Sequence, residues 1–195
     1  LTSGRFIVDD LTLSSDDNYI YFKANMEHPG LYEVYRADLS DNTIDTMTDL
    51  NGMTDYSLSP DGKNLLLSHS KVNQPQELYI KPANETTAAK QITQSTSADF
   101  NALPWAVPNI VAIESSHTDA PIYARVYLPE NYDKSAPNKA VVFNHGAGYL
   151  QNAHMGWSGY FREYMFHSML VQQGYVVLDM DYRASAGYGR EWPVS

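Results

Sequence analysis

The residues best equipped for chemistry lie in the second half of the chain. The stretch Val141-Val142-Phe143-Asn144 runs directly into His145-Gly146-Ala147-Gly148. An apolar strand that opens into small residues lets a backbone loop approach a bound molecule closely, with its N–H groups free to donate. A second cluster, Asp181-Tyr182-Arg183 with Ser185 close behind, closes the apolar run Tyr175–Met180. Arg183 is flanked by Asp179 and Asp181 and is expected to hold this loop by charge-assisted hydrogen bonds; the alternative is an anchor for a substrate carboxylate. The six histidines, His28, His69, His117, His145, His154 and His167, show neither H-E-x-x-H nor a carboxylate at ligand spacing. No metal site and no cofactor are expected. The acidic pairs Asp9-Asp10 and Asp16-Asp17 fit turns and strand ends better than acid/base partners.

The elements that must position these residues can be read from periodicity. Ala140–Asn144 reads as a buried strand. Between Gly156 and Gln173, Phe161, Met165 and Met169 recur at i+4 with Tyr164 alongside, which predicts a helix with one apolar face, ended by Gly174. Trp157, Tyr160 and Phe161 fit a pocket lining or a helix facing its own sheet equally well. Tyr175–Met180 returns as a strand, so strand, helix and strand make one right-handed crossover with parallel pairing. Upstream, Ile110–Ser115 and Ile122–Leu128 read as an antiparallel hairpin, after a segment punctuated by Pro104 and Pro108 that marks a boundary.

The first half repeats itself. Leu13-Ser14-Ser15-Asp16 and Leu58-Ser59-Pro60-Asp61 each open a turn into an apolar run, 45 residues apart. Leu31-Tyr32 and Leu78-Tyr79 answer each other at an offset of 47. Short β-favouring runs between turns, without helical periodicity, repeating at about 45 residues, have the spacing of a β-propeller blade.

Composition excludes several classes. A net charge of −10 and a pI near 4.8 repel a phosphate backbone, so nucleic acid is not an expected partner. No apolar run reaches the ~20 residues needed to span a bilayer, and Leu1–Asp10 lacks the basic and apolar regions of a signal peptide. The opening residues read as the interior of a longer chain. The absence of cysteine leaves the compartment open between cytoplasmic and periplasmic or secreted.

Taken in order, the Ser-x-Asp-Gly blades, the Pro-rich linker, the hairpin ending Tyr127-Leu128-Pro129, the Asn144-His145-Gly146-Ala147-Gly148 loop and the run from Gly174 to Trp192 resemble the prolyl oligopeptidase family of serine peptidases, most of all its dipeptidyl-peptidase and acylaminoacyl-peptidase branches. Asp181, Arg183, Ser185, Gly187, Gly189 and Trp192 fall on the family's D-x-R-G-S-x-G-x-G-x-x-W pattern. Ala184 replaces a usual glycine, and Ala147 stands where many members carry the second glycine of His-Gly-Gly.

The resemblance implies a mixed fold: a partial β-propeller of about two blades over residues 1–103, followed by the N-terminal part of an α/β-hydrolase sheet over residues 104–195. It implies cleavage of short peptides by a Ser-His-Asp triad, with His145 shaping a turn whose Gly146 and Ala147 N–H groups form one arm of the oxyanion hole. The nucleophile elbow G-x-S-x-G is missing: Ser158 lacks the second glycine and Ser185 has Arg183 in place of the first. The triad is therefore expected downstream and the chain alone is expected to be inactive. A short peptide is the expected substrate, with self-association as a further interaction. A non-catalytic propeller-containing binding protein and an esterase of the same fold are the alternatives.

Overall fold

The computed structural model describes residues 1–117, 119–146 and 150–189. Among these, the fold is mostly β-sheet, in three open four-stranded sheets. They divide into two compact units: residues 1–96 with Met155–Trp157 and the segment from Gly187, and residues 97–154 with 158–186.

The first unit holds two antiparallel meanders, β1 (Val8–Leu13), β2 (Tyr19–Ala24), β3 (Glu33–Asp38) and β4 (Ile44–Thr46), then β5 (Met53–Leu58), β6 (Asn64–Lys71), β7 (Gln74–Pro82) and β8 (Lys90–Gln91). Their first turns are built alike. Ser14 Oγ donates to Asp16 (2.6 Å) and accepts from Tyr19 N (2.9 Å); Ser59 Oγ donates to Asp61 (2.6 Å) and accepts from Asn64 N (2.9 Å). These bonds hold the Asp16 and Asp61 carboxyls below their usual range. The residue after the aspartate is left-handed in both, Asp17 at φ 58° and Gly62 at φ 69°. The repeated Leu-Ser-x-Asp is thus a serine-closed turn that sets the register of the strands on either side.

The second half of the repeat has a different offset from the one read in the sequence. Phe22 pairs with Tyr35 and Leu67 with Tyr79; Tyr21 pairs with Arg36 and Leu66 with Ile80. Tyr35 therefore corresponds to Tyr79, 44 residues on, and Leu31-Tyr32 has no equivalence to Leu78-Tyr79. The matched Leu-Tyr letters are coincidental, because strand pairing fixes register and a connection can shorten by a residue without disturbing it. The true counterparts are two buried glutamates. Glu33 accepts from Thr48 Oγ1 and from the Leu50 and Asn51 N–H groups at 2.9 Å; Glu77 accepts from Thr93 Oγ1 and from Ser95 N and Oγ at 2.7 Å. Each clamps the segment that leaves its sheet's last strand.

The core of this unit is Tyr21 and Val34 packed with Leu65, Leu67, Met47 and Ala83. The opposite face of the first sheet buries Phe22, Ala24, Tyr35 and Ala37. Strand alternation produces both faces.

In the second unit a short helix, α1 (Ala98–Asn101), capped by Ser97, precedes the hairpin β9 (Asn109–Ile113) and β10 (Ile122–Tyr127). β11 (Ala140–Asn144), α2 (Phe161–Gln172) and β12 (Val176–Met180) follow, in sheet order β11-β12-β10-β9. β11 and β12 are parallel, Ala140 opposite Val176 through Asn144 opposite Met180, as the crossover reading requires. α2 ends where Gly174 was expected to stop it. Gly174 takes φ 83°, its N–H bonds Val171 O and the Tyr175 N–H bonds Leu170 O, both at 3.0 Å, which is a Schellman cap.

Two features of α2 depart from the sequence reading. The helix begins at Phe161 rather than near Gly156. Its buried face is Tyr164, His167, Ser168 and Leu170, while Met169 is exposed and Phe161 and Met165 are only half-buried. Polar residues take core positions here because the linker supplies partners for them, a signal that the i+4 apolar stripe does not carry. Ser168 Oγ accepts from Ala106 N and Tyr164 Oη donates to Ala106 O, so the polar atoms on this face are used to bind the linker.

His69 is fully buried on β6, with Thr54 Oγ1 3.0 Å from Nδ1, and burial pushes its pKa down to about 4. The folded state thus favours neutral imidazole. Stability that is present above pH 6.5 is lost as pH falls towards 4. His69→Gln should reduce the drop in Tm between pH 7 and pH 4.5; an identical drop in the variant would show that His69 is not its source.

Candidate functional site

β12 runs apolar up to Leu178 and then places Asp179 in the sheet and Asp181 just beyond it, both almost completely buried. A carboxylate without water is very unfavourable unless donors surround it. The donors come from three places.

The first is β10. Arg125, fully buried, lies directly across the antiparallel ladder from Asp179, with Nη1 3.8 Å from Oδ2. Its Nε donates to His154 O (2.8 Å) and its Nη2 faces His154 Nδ1 at 3.2 Å. The second is the segment after the Gly-rich loop. Asn152 Nδ2 donates to Asp179 Oδ1 (2.6 Å), and the Asn152 and Ala153 N–H groups donate to Asp181 at 2.7 and 3.2 Å. The third is His145, whose Nε2 stands 3.1 Å from Asp181 Oδ1. One carboxylate therefore ties residue 145 to residues 152 and 153.

Burial raises the pKa of Asp179 to about 6, against the lowering effects of Arg125 and Asn152. His167 on α2, 3.9 Å from the same carboxylate, is pushed down to about 4 by burial and then by Arg125. The two shifts act on stability in opposite directions between pH 4 and 6.

Of the site residues expected from the sequence, His145 is buried and Gly146 is exposed at the carboxyl end of β11. Ala147 lies outside the described residues. The His145 ring stacks on Tyr182, with centroids 4.6 Å apart, and its Nδ1 is 2.8 Å from Gly146 O.

Ser185 Oγ stands 3.4 Å from His145 Nε2, which brings a serine, a histidine and an aspartate together. It is not a catalytic triad. In a triad the carboxylate holds Nδ1 and the hydroxyl faces Nε2, whereas here both face Nε2. Ser185 is also wholly buried and accepts from Tyr182 N. Ser158 is equally occupied, donating to Asn152 Oδ1 and accepting from Tyr160 N, both at 3.0 Å. Tyr160 packs against Phe143.

Arg183 is exposed, and the guanidinium that meets Asp179 is that of Arg125. Sequence reasoning missed Arg125 and Asn152. Arg125 carries a signal that was available: a charged residue in the midst of Ile122–Tyr127, at a position of inward-facing parity. Ala184, where the family pattern has glycine, adopts φ 71°.

Comparison with known proteins agrees with these motifs. Residues 1–76 match the family described as Dipeptidyl peptidase IV (DPP IV) N-terminal region. Over 98% of its length the chain is 24% identical to Probable dipeptidyl-aminopeptidase B of Podospora anserina, of which it covers 21%. Its fold matches the crystal structure of Porphyromonas gingivalis dipeptidyl peptidase 4 with a TM-score of 0.81 at 18% identity, covering 98% of this chain and 27% of that one. The family match and the relative are both of dipeptidyl-peptidase type, and the solved structure shares the fold. It spans about a quarter, or less, of the length of the proteins it matches.

Removing one partner of a buried ion pair typically costs ~3–5 kcal/mol, so Arg125→Leu should destabilise the chain by about that much at pH 7.5. Asp179 already has a raised pKa, and its ionised form would lose its cation. The penalty should therefore shrink as pH falls below about 6. Urea unfolding at pH 7.5 and pH 5 tests this; equal penalties at both would refute the assignment. Ala184→Gly should stabilise by ~0.5–1 kcal/mol, because glycine takes a left-handed φ without strain.

Proposed function

We propose that the full-length protein is a serine peptidase acting on short peptides. In this reading residues 1–103 are terminal blades of a β-propeller, and residues 104–195 open an α/β-hydrolase domain. The triad lies in sequence outside these 195 residues. The observation that carries the proposal is the His145-Gly146 turn at the carboxyl end of a parallel strand, braced by Asp181. In open α/β sheets, ligands bind at that end of the strands. The names of the relatives, dipeptidyl-aminopeptidase and dipeptidyl peptidase, favour peptides over simple esters.

Acyl transfer needs a nucleophile, a base to take its proton and donors for the oxyanion. This chain supplies one arm of donors, at Gly146 and Ala147. A backbone donor of this kind acts mainly on the tetrahedral intermediate, so it raises kcat more than it tightens substrate binding. The propeller blades fit a size-limiting cap that admits short peptides. Self-association through further surfaces is compatible with the exposed sheet edges.

The full-length protein and residues 1–195 alone should separate on short aminoacyl chromogenic peptides with a serine-directed phosphonate. The full-length protein should cleave and be labelled; residues 1–195 alone should do neither. Labelling of the fragment would reveal a nucleophile within it and overturn the site assignment. In the full-length protein, Ala147→Pro should lower kcat by ~100-fold or more with a much smaller change in KM, the signature of a lost oxyanion donor.

A further inference from the structure

The two oxygens of Asp179 have different surroundings. Oδ1 accepts from Asn152 Nδ2 at 2.6 Å. Oδ2 faces two nitrogens, Arg125 Nη1 at 3.8 Å and His167 Nδ1 at 3.9 Å. Both lie beyond the ~2.7–3.2 Å of a direct N–H···O bond. Tyr127 shares the face of β10 with Arg125, and its ring meets that of His167 with centroids 5.6 Å apart. Burial pushes the Tyr127 phenol up, while the charges of Arg125 and Asp179 act on it in opposite directions. All four side chains are at most 3% exposed. Neither Tyr127 Oη nor His167 Nδ1 has a hydrogen-bond partner among the described residues.

Unpartnered polar atoms in a dry core are strongly disfavoured, and here they converge on an ion pair that stands too far apart to touch. A gap of that size is bridged by one oxygen atom with a leg of ~2.8 Å to each side. The hydrogen-bonding capacities of the four groups complete the match. The Arg125 guanidinium only donates, the Asp179 carboxylate only accepts, and the Tyr127 hydroxyl supplies a second donor. Burial pushes the His167 pKa down to about 4, so the ring is neutral at pH 7; with its proton on Nε2 it offers Nδ1 as a second acceptor. Two donors and two acceptors are the complement of a single water. A cation in the same place would meet the guanidinium charge and an anion the carboxylate, so a neutral molecule fits. We infer that Arg125, Tyr127, His167 and Asp179 form a binding site for one buried water, which accepts from Arg125 Nη1 and Tyr127 Oη and donates to Asp179 Oδ2 and His167 Nδ1. The water joins α2 to β10 and β12. A groove of about 300 Å³ lined in part by Val142, Phe143, Phe166 and His167 gives it an entry on the imidazole side. The inference is independent of the peptidase reading, since this chain supplies every residue of the site.

A crystal structure of the full-length protein that resolves ordered solvent should show one peak within ~2.6–3.2 Å of at least three of Arg125 Nη1, Tyr127 Oη, His167 Nδ1 and Asp179 Oδ2. Direct contact between the guanidinium and Oδ2 with no peak between them would overturn the inference, as would a peak that reaches fewer than three of the four. Tyr127→Phe gives a second reading in solution, because it keeps the ring and removes only the hydroxyl. A phenol bonded to the water loses a hydrogen bond in that variant, so the Tm of the full-length protein should fall by about 1–3 °C. A phenol left unsatisfied is better replaced by phenylalanine, so an unchanged or higher Tm would also overturn the inference. Neither measurement involves turnover, and both therefore read the site apart from the peptidase reading.

Discussion

Two carboxylates carried out of water by one strand end govern the second unit. Asp179 and Asp181 are each about 2% exposed or less, and an unsolvated carboxylate is tolerated only where donors converge on it. That requirement dictates the path of the chain around them. Arg125 must enter the core from the neighbouring strand, Asn152 must turn its side chain inward, and the backbone at 152 and 153 must present two N–H groups. The Gly-rich loop begins at His145, which is bound to the same Asp181, so both of its limbs are fixed by one group. The two buried carboxylates explain why polar residues rather than apolar ones occupy the core at this end of the sheet.

The first unit meets the same need for satisfied polar groups with local devices used twice. Ser14 and Ser59 close their turns through Asp16 and Asp61, and Glu33 and Glu77 hold the exits of their sheets. The serine turns work within one sheet, whereas Glu33 also accepts from Thr54 Oγ1 of the second sheet at 3.3 Å. Between the sheets an apolar core of Tyr21, Val34, Leu65 and Leu67 is joined by polar bonds, among them Tyr21 Oη to Ala83 O at 2.9 Å and the Lys23–Asp55 ion pair.

The sequence by itself determined the elements whose signals are local. The serine turns, the alternating strands, the Gly174 stop and the parallel crossover of β11 and β12 all follow from short-range backbone chemistry, and each was legible. The glutamate clamps and the 44-residue offset were not, because strand register is set by pairing partners and the eye is drawn to matching letters instead. Only the tertiary structure decided that Arg125 rather than Arg183 meets Asp179, that α2 buries His167 and Ser168 while Met169 faces outward, and that Ser185 and Asp181 both face His145 Nε2 without forming a triad. These outcomes depend on which groups from distant segments arrive at one buried carboxylate. Desolvation sets that competition, and it acts only once the strands have come together.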